Sequence, residues 1–170
     1  TLLDFLKKFD CFRFVFDHPE SLRRITYELI EENARENVLY TELRINPVKH
    51  PDILSVDGVL DAVLQGIDEA RRDLGVEAAL IVSINRSYSP QSAMQVAQAA
   101  VASKHRGVVG LDLAGDEVHH PVEKFQAVFD FARSQDLRIT IHAGEAAGAD
   151  SIRRSVELCH AERIGHGVRL

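Results

Sequence analysis

The chain is short of cysteine, of positive charge and of long apolar runs, and each shortage closes off a class of protein. Two cysteines, Cys11 and Cys159, make no disulfide framework, and neither sits in a Cys-x-x-Cys pair. Two buried or half-buried thiols suit a reducing compartment. The formal net charge is −6, the wrong sign for a partner with a phosphate backbone. The longest apolar stretch, Ala78 to Val82, has the length of a strand and falls far short of a bilayer. No signal peptide is read at the start, although Thr1 is not an initiator methionine. The expectation is a cytoplasmic protein with neither a nucleic acid nor a membrane as partner.

What is present is an ordinary globular composition, with 45% hydrophobic residues over 170 positions. That is enough for one domain with a real core, spanning the whole chain. Hydrophobic period alternates between helix-like and strand-like. Leu2, Leu3, Phe5 and Leu6 suit a short opening helix. Asp17-His18-Pro19 reads as a helix start, with Leu22, Ile25, Leu29 and Ile30 recurring through about Ala34. Val38 to Ile45 alternates and stops at Asn46-Pro47, so it reads as a strand. Asp57 is the expected cap of the next helix and Gly75 its end. A buried strand follows from Val76 to Ile84, then a helix opened by Ser89-Pro90. Gly107 to Leu113 is the next strand, and Pro121 begins a helix. Leu137 to His142 is a strand, Asp150 is the expected cap of a helix through about His160, and Arg163 starts a fifth strand.

Continuous apolar strands alternating with amphipathic helices predict an α/β fold with a parallel sheet covered by helices. Two architectures fit: an open doubly wound sheet, or part of an eight-fold β/α barrel. Length favours the open sheet, since a complete barrel takes about 250 residues. The polar residues favour the barrel, because each of several strand ends carries a group that a buried strand does not need. The first has Glu42 and Arg44. Another has Asp112, followed by Gly115-Asp116-Glu117. His142 and Glu145 end the next, and His166 stands between two glycines at the last. In a barrel such groups converge on one mouth.

Each has a structural alternative. Glu42 and Arg44, two apart on one strand face, suit an ion pair with each other. Asp112 could bond backbone or an arginine. His119 and His120 read as solvated loop residues, and His160 as a favourable contact with a helix end. His142 resists such a reading, because a histidine closing the run from Leu137 to Ile141 does little for packing. Ala143-Gly144 then allows a tight turn that returns Glu145 to the same mouth. An imidazole ligates zinc, and a carboxyl near an activated water can move protons. A non-catalytic, ligand-binding open α/β module remains the rival from another class.

Four segments together resemble the adenosine deaminases, a branch of the amidohydrolase-type metal barrels. They are Tyr40-Thr41-Glu42-Leu43-Arg44 with Pro47, Val109 to Glu117, His142 to Gly148, and Ala161 to Gly167. The resemblance implies part of a TIM-like (β/α)8 barrel, about strands two to six with their helices. It implies hydrolysis of adenosine or deoxyadenosine at a cyclic amidine C–N bond, giving inosine or deoxyinosine and ammonia, with one Zn2+ per complete site. His142 would be a metal ligand and Glu145 the proton donor to purine N1. His166 would orient and stabilise the attacking hydroxide, or act as base. The Gly115 N–H would donate to purine N3. Asp112 is expected at the substrate as well as in support, and Glu117 in support. Adenine or a modified adenosine is the alternative substrate within the family.

Two parts of the family pattern are absent. No His-x-His pair precedes Tyr40, where the only histidine is His18, and the paired aspartates of the last strand would fall beyond Leu170. A catalytic zinc takes about three protein ligands. The chain is therefore expected to be an internal piece of a longer enzyme, inactive when isolated.

Overall fold

Nearly every apolar stripe becomes a helix and every continuous apolar run a strand. The computed structural model describes residues 4, 5, 8, 18–47 and 54–169. The expected opening helix lies mostly outside the described residues, as do Asp17 and Cys11. The elements run α1 (Pro19–Arg35), β1 (Tyr40–Ile45), α2 (Val56–Leu74), β2 (Glu77–Asn85) and α3 (Pro90–Ala102). They continue as β3 (Val108–Ala114), α4 (Gln126–Ser134), β4 (Arg138–Ala143), α5 (Ala149–Cys159) and β5 (Arg163–His166).

Helix ends follow cap chemistry, with two corrections. Ser55, not Asp57, caps α2, its side chain accepting from the Gly58 N–H. Asp57 instead lies in the first turn, where a carboxylate meets the positive end of the helix dipole. Gly148, not Asp150, holds the N-cap position of α5, and Asp150 lies in the first turn, paired with Arg153 and Arg154. Ser89 caps α3 as expected, with Pro90 opening the helix. The segment after Pro121 begins as a 3-10 turn, Val122–Phe125, before α4 continues it.

All four strand pairings are parallel, and the spatial order β1-β2-β3-β4-β5 is the chain order. A doubly wound sheet reverses direction at a switch point. This one never does, so successive right-handed crossovers stack on one side and the sheet curls. The curl is measurable. In a flat sheet β1 and β5 would lie roughly 19 Å apart, four spacings of about 4.8 Å. Instead Arg163 Nη2 on β5 reaches Glu42 Oε2 on β1 at 2.6 Å. The expected Glu42–Arg44 ion pair is thereby replaced, because curvature brings a remote strand closer than a local reading can see.

The convex face is the core. Leu80, Val82 and Ile84 of β2, Leu111 and Leu113 of β3, and Ile139 and Ile141 of β4 are buried in one cluster with Leu60, Leu64, Ile67, Val96, Phe125 and Phe129. Cys159 is buried in the same cluster, and burial pushes its thiol up to about 12. By period-two alternation the concave face receives Glu42, Arg44, Ser83, Asp112, Thr140 and His142. No helix among the described residues is long and apolar enough to cross a membrane.

Candidate active site

Asp112 pairs with Thr140 in the sheet, so His142 stands one inward step further toward the strand ends. Its Nδ1 lies 3.0 Å from Asp112 Oδ1. The other oxygen of Asp112 accepts from the Ser83 hydroxyl at 2.7 Å, and Arg44 Nε lies 3.6 Å away. Arg44 Nη1 approaches His142 Nε2 at 3.3 Å. A guanidinium has no lone pair to offer, so Nε2 accepts and the ring proton sits on Nδ1, donated to Asp112. In that tautomer Nε2 carries the lone pair, which the Arg44 guanidinium meets in this structure. Metal-ligating histidines are commonly held this way, by a carboxylate on the far nitrogen.

Asp112 itself is wholly buried, at 0% exposure. Its oxygens meet His142, Ser83 and Arg44.

His166 closes β5 in the left-handed region, with φ 72°. A non-glycine residue there costs about 1–3 kcal/mol, and such costs gather at functional sites. Its ring lies 5.1 Å from that of His142, and its Nε2 is 3.6 Å from Glu145 Oε1. His142, Glu145 and His166 thus meet at one mouth. Gly115, at the end of β3, also has a positive φ of 111°, and a Cβ there would press on the Asn85 side chain at 3.0 Å.

Glu117 is 4% exposed, and both its oxygens are fully engaged. Oε1 accepts from the Gly144 N–H and the Ser151 hydroxyl, each at 2.6 Å. Oε2 accepts from the N–H groups of Glu145, Ala146 and Ala147 at 3.0, 2.7 and 2.9 Å. Burial works against the charge, but the Ser151 hydroxyl and the amides of Ala147, Ala146 and Gly144 outweigh it and hold the carboxyl below its ordinary value of 4.5. A depressed folded pKa gives stability that is complete above the unfolded value and lost as pH falls through the folded one. The difference in unfolding free energy between wild type and Glu117→Gln is therefore expected to hold steady from about pH 7 to about pH 5 and to shrink in more acid solution. Urea titrations of both proteins at three pH values check this. A difference that grows on acidification would contradict it.

Arg86 was not marked by the sequence. It follows β2 directly and is wholly buried. Nη1 donates to the His120 carbonyl and Nη2 to the His142 carbonyl, both at 2.9 Å. Its Nε has no partner among the described residues. Burial lowers the guanidinium pKa, opposed chiefly by Glu117. Two other histidines have partners of their own. His119 is exposed and paired with Asp116 at 2.7 Å. His160 ends α5 in the left-handed region and bonds Asp130 and Arg133.

A catalytic zinc needs about three protein ligands. Among the described residues no three His, Cys, Asp or Glu side chains gather to hold a metal. His142, with its far nitrogen anchored and its near lone pair free of a proton, fits one place in such a set.

A sequential parallel sheet with imidazoles and carboxylates at its strand ends is the architecture of an amidohydrolase-type (β/α)8 barrel, of which these five strands form a curled part. The chain belongs to the adenosine deaminase family, whose model matches residues 1–170. The adenosine deaminase of Serratia proteamaculans is 41% identical over 172 residues, covering 99% of this chain and 51% of that protein. The N6-mAMP deaminase of Arabidopsis superimposes with a TM-score of 0.87 at 30% identity, covering 98% of this chain and 52% of that one. An amidohydrolase from Burkholderia ambifaria with bound Zn gives 0.83 at 32% identity, covering 88% and 42%. The chain spans about half the length of the curated relatives it matches.

Proposed function

We propose that this chain forms one wall of the active site of a zinc-dependent adenosine deaminase, which hydrolyses adenosine or deoxyadenosine to inosine or deoxyinosine and ammonia. The observation that carries the reading is the state of His142. Its Nδ1 is anchored on Asp112, its Nε2 is met by the Arg44 guanidinium, and its ring lies beside His166, which in turn approaches Glu145.

His142 would hold the zinc, with the other ligands supplied by the part of the protein beyond this chain. Bound there, the metal would act as a Lewis acid that makes water nucleophilic at neutral pH. Attack at C6 breaks the ring's aromaticity, so a proton must reach N1 at nearly the same time. Glu145 supplies it. His166 orients the attacking water or takes its proton. Gly115 donates its N–H to N3 and fixes the ring edge. A small nucleoside needs no basic face, in keeping with the net charge of −6. The free buried thiol of Cys159 suits a reducing cytoplasm.

The test is product analysis on the full-length protein. Purified enzyme is expected to contain about one zinc per site and to release inosine and ammonia from adenosine. Activity should vanish with a chelator and return with added zinc. Zinc-replete enzyme that leaves adenosine intact but deaminates adenine or an N6-modified nucleotide would move the reading to the other branch of the family. Inertness toward all three would refute it.

A further inference from the structure

We infer that Glu117 is a positioning residue that fixes the proton donor Glu145 relative to the ring-edge donor Gly115, so that contact at purine N3 contributes to the rate of protonation at N1. The inference rests on the proposed deaminase reading and deepens it.

Glu117 lies two residues after Gly115 in the loop that follows β3. All five hydrogen bonds to its carboxylate come from the next loop and the start of α5, at Gly144, Glu145, Ala146, Ala147 and Ser151. One donor is the backbone N–H of Glu145 itself. The main chain from which the acid projects is therefore held by the loop that carries Gly115. At 4% exposure, little water competes for these donors. A second clamp joins the loop after β3 to the end of β4, from which the next loop leaves. The Arg86 guanidinium bridges the carbonyls of His120 and His142. Gly115 itself has a φ of 111°, with the Asn85 side chain on the side a Cβ would take. The loop after β3 is thus fastened to the β4–α5 segment at two points, with an anion and a cation as the fasteners.

N1 and N3 lie on one six-membered ring. Two donors that must engage both at once need a fixed separation, and a misplacement of about 1 Å can cost 100-fold in rate. Glutamine at position 117 keeps the size but turns an NH2 toward amides that are themselves donors, so the fastening loosens while the loop stays filled.

The experiment uses the full-length zinc enzyme, with steady-state kinetics on adenosine and on 3-deazaadenosine, whose N3 is replaced by CH. Glu117→Gln is expected to lower kcat for adenosine about 10- to 100-fold with little change in KM. The wild-type preference for adenosine over the 3-deaza analogue is expected to shrink in the same variant, since N3 contact no longer helps align the acid. Ser151→Ala, which removes one of the five bonds, is expected to shift both quantities the same way by a smaller amount. It also serves if Glu117→Gln fails to fold. An unchanged preference ratio in a folded variant overturns the inference, whatever happens to kcat. If wild-type enzyme turns over neither purine, it is the deaminase reading that fails, and the inference falls with it.

Discussion

Arg86→Met is expected to destabilise the protein by about 3–5 kcal/mol, a large share of the roughly 5–15 kcal/mol that holds a domain folded. The opposite result is easy to argue. A buried guanidinium loses its hydration, and this one leaves Nε without a partner among the described residues, so an apolar replacement of similar length relieves that cost. Replacing a buried ionic group by packed apolar residues is often neutral when all partners are replaced together. Here the partners are main-chain carbonyls at His120 and His142, and no substitution removes them. Each would be left without its donor, at about 1–3 kcal/mol apiece. Glu117 and Asp112 would also lose a neighbouring positive charge. Arg86→Lys keeps the charge but presents a single head, which cannot reproduce the guanidinium fork, and should fall between. Urea unfolding midpoints of the three proteins measure this. A loss under about 1 kcal/mol for Arg86→Met would mean that the carbonyls find other donors.

The sequence exposes the strand ends because His142 and His166 interrupt apolar patterns where packing has no use for an imidazole. It also exposes the element order, since each strand run is bounded by Gly, Pro or a cap. What it hides is of three kinds. Ser55 and Asp57 are both cap formers two residues apart, and only backbone angles choose between them. Glu42 finds Arg163 rather than Arg44 because the sheet curls, and curvature is not a local property. Glu117 and Arg86 have partners that are nearly all backbone groups, which leave no mark in side-chain pattern. Ser83, inside the apolar run of β2, carries no local sign that its hydroxyl bonds Asp112. On length alone the choice between a barrel and a doubly wound sheet favours the sheet. It is decided by a strand order that equals chain order.

His142→Ala and Asp112→Ala are expected to separate ligand from support by the degree of zinc loss. Removing His142 would delete the proposed ligand, and zinc in the purified full-length protein should drop from about one per site to near zero. Removing Asp112 leaves the imidazole in place but frees its Nδ1 proton, so the ring can rotate or exchange tautomers and present N–H instead of a lone pair to the metal. Loss of such an outer partner typically costs 10- to 100-fold in affinity, so Asp112→Ala should bind zinc weakly and regain it at higher concentration. Asp112→Asn separates charge from geometry. Its carbonyl oxygen can still accept the Nδ1 proton and its amide can donate to Ser83, so the tautomer survives while the negative charge near Arg44 is gone. Its zinc affinity should lie between wild type and Asp112→Ala. Metal analysis across a zinc titration gives all three values. Equal and complete loss in His142→Ala and Asp112→Ala would make Asp112 a ligand in its own right. Full zinc retention in His142→Ala would remove the metal from this wall of the barrel.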